Sequence, residues 1–278
     1  MKKPQKSIYK ISNNDGLVVS FSNYGARITS IKYRKQEIAR NGFISGRCAN
    51  RIKDAIFTLN DKTYYLDKNE GDNHLHGGSK GFAKRLWSVK EKTDHLISFF
   101  LHSKDKDMGY PGNLDITVTY TLFSNELSVE YHATCDQDTI LNPINHLYFK
   151  NTRTLVIDAE CFTEKGANRI PTGRLLSILD TPFDFSKERP LEPKISYDIN
   201  YVLKGTGYRK VAYLKSDLYS VEVFTDRPGL QLYQTNKHVC LEAQMYPDAI
   251  HHQNFPSPIL KKDAAFYSKT AYHFKFSK

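Results

Sequence analysis

From Leu114 to Leu122 the chain alternates strictly. Leu114, Ile116, Val118, Tyr120 and Leu122 are apolar, and Asp115, Thr117, Thr119 and Thr121 between them are polar. A period of two puts every second side chain on one face, so this segment reads as a strand with one buried side. Leu127, Val129 and Tyr131 resume the pattern after Phe123-Ser124-Asn125-Glu126, which predicts a hairpin. Phe57 and Leu59, then Asn60-Asp61, then Tyr64 and Leu66, predict another. Val221 and Val223 precede an Asp226-Arg227-Pro228-Gly229 turn, and Leu230 and Leu232 start a further strand. Tyr272, Phe274 and Phe276 repeat the alternation near the end. No long window carries a helical stripe with caps. The chain is therefore expected to be all-β: a large antiparallel β-sandwich with its core between stacked sheets, over residues 1–278 as a single domain.

Composition narrows the function classes. The 278 residues are 40% hydrophobic, enough for a sizeable core without covalent staples. The formal net charge is +10, yet the lysines are scattered and Lys104 and Lys106 alternate with Asp105 and Asp107. No basic stripe or nucleic-acid motif is present, so a solvated basic surface is expected rather than a nucleic-acid face. No apolar run is long enough to span a membrane, and no secretory h-region follows the basic N-terminus. Cys48, Cys135, Cys161 and Cys240 lie far apart with no CxxC pair, and read as reduced thiols of a cytoplasmic protein.

Four stretches place polar side chains beside glycines or aromatics: Gly46–Ile52, Asn73–Gly78, Asn142–Phe149 and Cys240–Gln244. In a strand, Cys240, Glu242 and Gln244 share one face. A carboxylate in apolar surroundings has a raised pKa and suits acid/base work near neutrality. His146, among Leu147, Tyr148 and Phe149, is either a satisfied structural histidine or a proton donor. Arg51, after Asn50, offers a planar fork for hydroxyls or for a structural ion pair. Asp198 is either a turn residue or an acceptor for sugar hydroxyls. On a strand His74 and His76 would point the same way, with Asp72 on the same face, at a spacing a metal could use, although the flanking glycines read as loop. His251 and His252, being adjacent, would face opposite sides. No phosphate loop, nucleophile elbow or HExxH helix is present.

Taken together, these stretches resemble the aldose 1-epimerases, also called galactose mutarotases. Seven pieces fall in register: Ser22–Ile28, Gly46–Ile52, Asn73–Gly78 with Gly81-Phe82, Gly109–Gly112, Asn142–Phe149, Thr181–Phe185, and Leu241–Gln244 with Pro247-Asp248-Ala249. The resemblance implies the galactose mutarotase-like super-sandwich. It implies Glu242 as general base and His146 as general acid, with Asn50, Arg51, His76 and Asp198 holding the sugar and Gln231 a weaker match for a pocket glutamine. Ile199 stands where the family often has His, Lys150-Asn151 where it usually has Asn-Leu, and the stretch between Ile31 and Gly46 is short.

The function expected on this resemblance is interconversion of the α and β anomers of a free aldohexose such as galactose or glucose. No cofactor or metal is called for, and the expected partner is a monosaccharide, with neither nucleic acid nor membrane. Monomer and homodimer stay open. The alternative is a non-catalytic sugar-binding or sugar-sensing protein on the same fold. A weaker third reading is a metal enzyme using His74 and His76.

Overall fold

A computed structural model describes residues 5–276. Two large antiparallel sheets carry the architecture. The first has ten strands, in the order Ile8–Ser12, Leu17–Ser22, Arg27–Tyr33, Gln36–Ser45, Ile144–Lys150, His238–Gln244, Gly229–Gln234, Asp198–Leu203, Ala159–Lys165 and Pro171–Ser177. The second has nine, with Ala265–Phe276 at its centre between Tyr219–Thr225 and Glu126–Cys135. Helical structure among the described residues is confined to short 3-10 turns, and no helix is long and apolar enough to cross a membrane.

The alternating segments form the expected strands. Leu114–Phe123 pairs with Glu126–Cys135 across a two-residue turn, and Ile56–Leu59 pairs with Lys62–Tyr65. Tyr219–Thr225 and Gly229–Gln234 do not pair with each other. Asp226-Arg227-Pro228 instead carries the chain from the second sheet to the first. The short stretch after Ile31 is a tight hairpin, in which Arg34 and Lys35 adopt positive φ and Tyr33 faces Gln36.

Inward-facing residues of both sheets, among them Phe21, Ile31, Phe99, Val118, Tyr120, Leu147, Phe149, Leu241 and Tyr272, form one continuous apolar core. Each large side chain fully withdrawn from water contributes about 1.5–3 kcal/mol. Asn145 reaches into this core and donates to the Gly42 carbonyl at 3.1 Å and to the Tyr120 hydroxyl at 3.1 Å. Those bonds pin the strand Ile144–Lys150, so its neighbour His146 is fixed on the opposite face. The four cysteines are free; Cys161 is partly exposed and the rest are buried.

Candidate active site

The outer face of the ten-stranded sheet forms the floor of a cavity of about 280 Å³. Its geometry follows from register. Tyr148 faces Cys240, so two residues further along the antiparallel pair His146 stands against Glu242. Glu242 faces Gln231, and Gln231 faces Asn200. The row His146, Glu242, Gln231, Asn200 thus crosses four strands. The next row is Tyr148, Cys240, Tyr233, Asp198. Cys240, Glu242 and Gln244 share this face as expected, with Val239 and Leu241 in the core.

Within the first row His146 Nε2 lies 3.3 Å from Glu242 Oε1, and both side chains are buried. The imidazole is sandwiched between Phe43 and Tyr148, each at a centroid distance of 4.8 Å. Such stacking fixes the ring plane and is worth about 0.5–1.5 kcal/mol per pair. Nδ1 of His146 is buried without a partner, so Nε2 is the working nitrogen. Gln231 donates to Asp198 Oδ1 at 2.6 Å and accepts from Gln244 at 3.2 Å. Lys165 Nζ at 3.0 Å and Arg169 Nη1 at 3.5 Å face the other oxygen of Asp198.

Loops from the other side supply the roof. The two-residue strand Arg51–Ile52 pairs with His74–Leu75, which brings Asn50 and Arg51 beside His76. The Asn50 amide donates to His76 Nδ1 at 3.2 Å. An accepting Nδ1 leaves the proton of the neutral ring on Nε2, ready to donate to a hydroxyl. Gly77 makes this approach possible. Its φ is +84°, and a Cβ there would sit 1.7 Å from the Gly46 carbonyl oxygen. Arg51 donates to both oxygens of Glu70 through the Nε–Nη2 edge of its guanidinium, at 2.6 and 2.7 Å. The ion pair and the place in the cavity thus coexist in one side chain. Asp248 braces the segment: its amide donates to the Arg51 carbonyl at 3.0 Å, and its Oδ1 accepts from the Lys53 amide at 2.9 Å.

Burial sets the protonation states. It pushes the Glu242 carboxyl well above its ordinary value, with the charge of Asp198 adding to the shift. It pulls His146 down to about 3, with help from His76, and His76 down to about 4, with help from Arg51. Burial also opposes ionisation of Asp198, but Lys165, Arg51 and the Gln231 hydrogen bond outweigh it and hold that carboxylate below its ordinary value. The site therefore holds a carboxyl that favours its protonated form and is a strong base when ionised, two imidazoles that favour the neutral form, and one firmly ionised acceptor.

All seven sequence-predicted residues, Asn50, Arg51, His76, His146, Asp198, Gln231 and Glu242, line this cavity. Asp198 begins a strand and is not a turn residue. The expected alignment of His74 with His76 is corrected. The strand ends at Leu75, His76 has φ +52°, and the two rings part. His74 gives Nδ1–H to the Asp67 carbonyl at 2.7 Å and accepts the Tyr110 hydroxyl at 2.7 Å, so it has no nitrogen left for a metal. Asp72 is exposed and pairs with Lys68. His251 and His252, expected to face apart, both turn toward Asp248, because they sit on a 3-10 turn and its cap. The metal-capable cluster among the described residues is instead His146, Cys240 and Glu242, whose ligand atoms lie within 4.8 Å of one another. Sequence reasoning missed Glu70, Arg169, Phe43 and Tyr233 as lining residues. Of these, only Tyr233 carried a signal, by alternation with Gln231.

The family model for aldose 1-epimerase matches residues 7–273. This chain belongs to the aldose 1-epimerase family. Within it, the Haemophilus influenzae aldose 1-epimerase is 31% identical, covering 95% of this chain and 94% of its own. The galactose mutarotase of Bos taurus is 36% identical over 85% of this chain and 78% of its own. Among solved structures, the aldose epimerase homologue from C. elegans superposes with a TM-score of 0.92 at 24% identity, over 99% of this chain and all of that one. That likeness speaks for the epimerase fold. The rows of His146–Glu242 and Tyr148–Asp198 are thus set in an aldose 1-epimerase scaffold.

Proposed function

We propose that the chain is a mutarotase that interconverts the anomers of a free aldohexose such as galactose or glucose. The observation that carries this reading is the buried 3.3 Å pairing of His146 with Glu242, in a cavity whose lining also includes the polar groups of Asn50, Arg51, His76, Asp198 and Gln231. In the reacting form the one proton shared by the pair sits on His146 Nε2, so the Glu242 carboxylate takes the proton of the anomeric hydroxyl while the imidazolium delivers its own to the ring oxygen. The C1–O5 bond breaks, and a free aldehyde forms. Rotation about C1–C2 presents the other face of the carbonyl. The ring oxygen attacks it, His146 recovers its proton, and Glu242 returns one to the new anomeric oxygen. Each group ends as it began, so one carboxyl and one imidazole suffice. Arg51, His76 and Asp198 hold hydroxyls so that a single C–O bond is presented. The aromatic faces of Phe43 and Tyr148 fix the acid. We also read residues 1–278 as one domain, which is supported by the apolar core the two large sheets share.

Polarimetry on fresh α-D-galactose and α-D-glucose tests the reading, with the parent and Glu242→Gln side by side. Acceleration lost in the variant is the expected result. Sugar binding without acceleration by the parent would favour the non-catalytic sugar-binding alternative.

A further inference from the structure

A second cavity, of about 390 Å³, adjoins the first and shares Phe43, Leu75 and His76 with it. No carboxylate lines it; its charged groups are Arg27 and Lys84. Arg27 opens the strand next to the one bearing Phe43. Its guanidinium lies over the Phe43 ring at 5.1 Å, and Nη1 donates to Asn41 Oδ1 at 2.6 Å. Its Nε is buried with no partner, while its Nη2 has no partner among the described residues and stays open to solvent. No acidic side chain among the described residues is within ion-pairing distance of Arg27, whereas Arg51 in the first cavity and Arg85, next to Lys84 in the chain, each hold a carboxylate. A half-buried guanidinium that keeps a donor unspent beside a cavity is suited to an anion from outside. Lys84 is exposed on the rim and lies near Asp67, so Arg27 carries the argument.

The order of strands says which part of a sugar would reach it. Across the sheet the sequence of side chains is Arg27, Phe43, His146, Glu242, Gln231. With the anomeric oxygen at Glu242 and the ring oxygen at His146, C2 lies toward Gln231 and Asp198. The ring oxygen's other neighbour is C5, which bears C6. C6 therefore points away from Glu242, past Phe43, toward Arg27.

We propose that the cavity beyond Phe43 is a second subsite that binds an anionic group carried on C6 of the aldose, with Arg27 as its principal ligand. The orientation rests on the mutarotase reading above. The test uses 1,5-anhydroglucitol and its 6-phosphate, which lack an anomeric hydroxyl and cannot react. Calorimetry on the parent should show the phosphate binding at least about tenfold more tightly, with an advantage that shrinks as salt is added. In Arg27→Gln the advantage should fall to within about twofold, and in Lys84→Gln, an exposed position that does not threaten folding, only in part. Equal affinities in the parent, or an advantage that survives in Arg27→Gln, would overturn the proposal. Polarimetry with glucose 6-phosphate and glucuronate then separates a phosphate from a carboxylate as the preferred anion. Arg27-dependent binding of the phosphate without turnover of any sugar would sink the catalytic reading and leave the subsite standing. Turnover of free hexose without a phosphate preference would do the reverse.

Discussion

His146 Nε2 and Glu242 Oε1 lie 3.3 Å apart on adjacent strands, and neither side chain is open to bulk water. The same burial strengthens the carboxylate as a base and makes the imidazolium eager to lose its proton. The two groups are therefore matched for opposite proton transfers to atoms bonded to the same carbon.

Replacing Glu242 with Gln keeps the shape and removes the base. Turnover should fall by about 10²–10⁴, the range for a positioned acid or base, while sugar affinity changes only a few-fold. His146→Asn should behave alike. Parent-like polarimetric rates in Glu242→Gln would send the search to another carboxylate.

Glu70 grips Arg51 by two hydrogen bonds but stands on the cavity wall, apart from the reacting atoms. Glu70→Ala frees the guanidinium to wander. KM should rise about tenfold with kcat within about threefold, as for loss of ground-state binding. A fall in kcat at constant KM would instead put Glu70 in the chemistry.

His74 and His76 should separate cleanly. His74→Ala strands the buried Tyr110 hydroxyl and should cost about 1–3 kcal/mol of stability in urea unfolding, with little change in kcat of the folded fraction. His76→Ala should raise KM with a smaller loss of stability. A chelator should leave mutarotation as it was, and loss of activity on its addition would revive a metal role.

The histidines also predict an acid-sensitive fold. His146 and His76 are held neutral, at about 3 and about 4 against an ordinary 6.5, so the unfolded chain binds more protons than the folded one below pH 6.5. Their contribution is complete above that pH and drains away as pH falls toward 4, at about 1.4 kcal/mol per unit for each. Glu242 works in the opposite sense, since its folded pKa lies above the ordinary 4.5. Thermal unfolding between pH 6.5 and 4 should therefore steepen in Glu242→Gln and flatten again when His76→Gln is added. An unchanged pH profile in both variants would contradict the assigned protonation states.

The strands were legible from spacing, and the roles of the site residues from the resemblance to the family. Alternation marks strands, and it placed Glu242 on a common face with Cys240 and Gln244. It cannot say which strands become neighbours. That His146 meets Glu242, and that Tyr148 and Tyr233 flank Cys240, depends on hydrogen-bond register between segments remote in the chain. Single-residue conformations were equally hidden. His76 turns into the cavity because its φ is positive, which undid the strand reading of the His74–His76 pair. Glu70 sits in a polar stretch where nothing distinguishes it from a solvated carboxylate until Arg51 is seen against it.

The floor and the roof of the cavity are held by different amounts of structure. His146 and Glu242 sit on inner strands whose reverse faces are the apolar core, so their amides can reach solvent only when the molecule as a whole comes apart. Asn50, Arg51 and His76 are held by a two-residue pairing with His74–Leu75, the Asp248 brace and the Glu70 ion pair. These few bonds can break without parting the two large sheets, so amide exchange at the roof is expected to run on a faster clock than at the floor. A sugar can thus be admitted and released by the loops while the proton-transfer pair stays as still as the core beneath it.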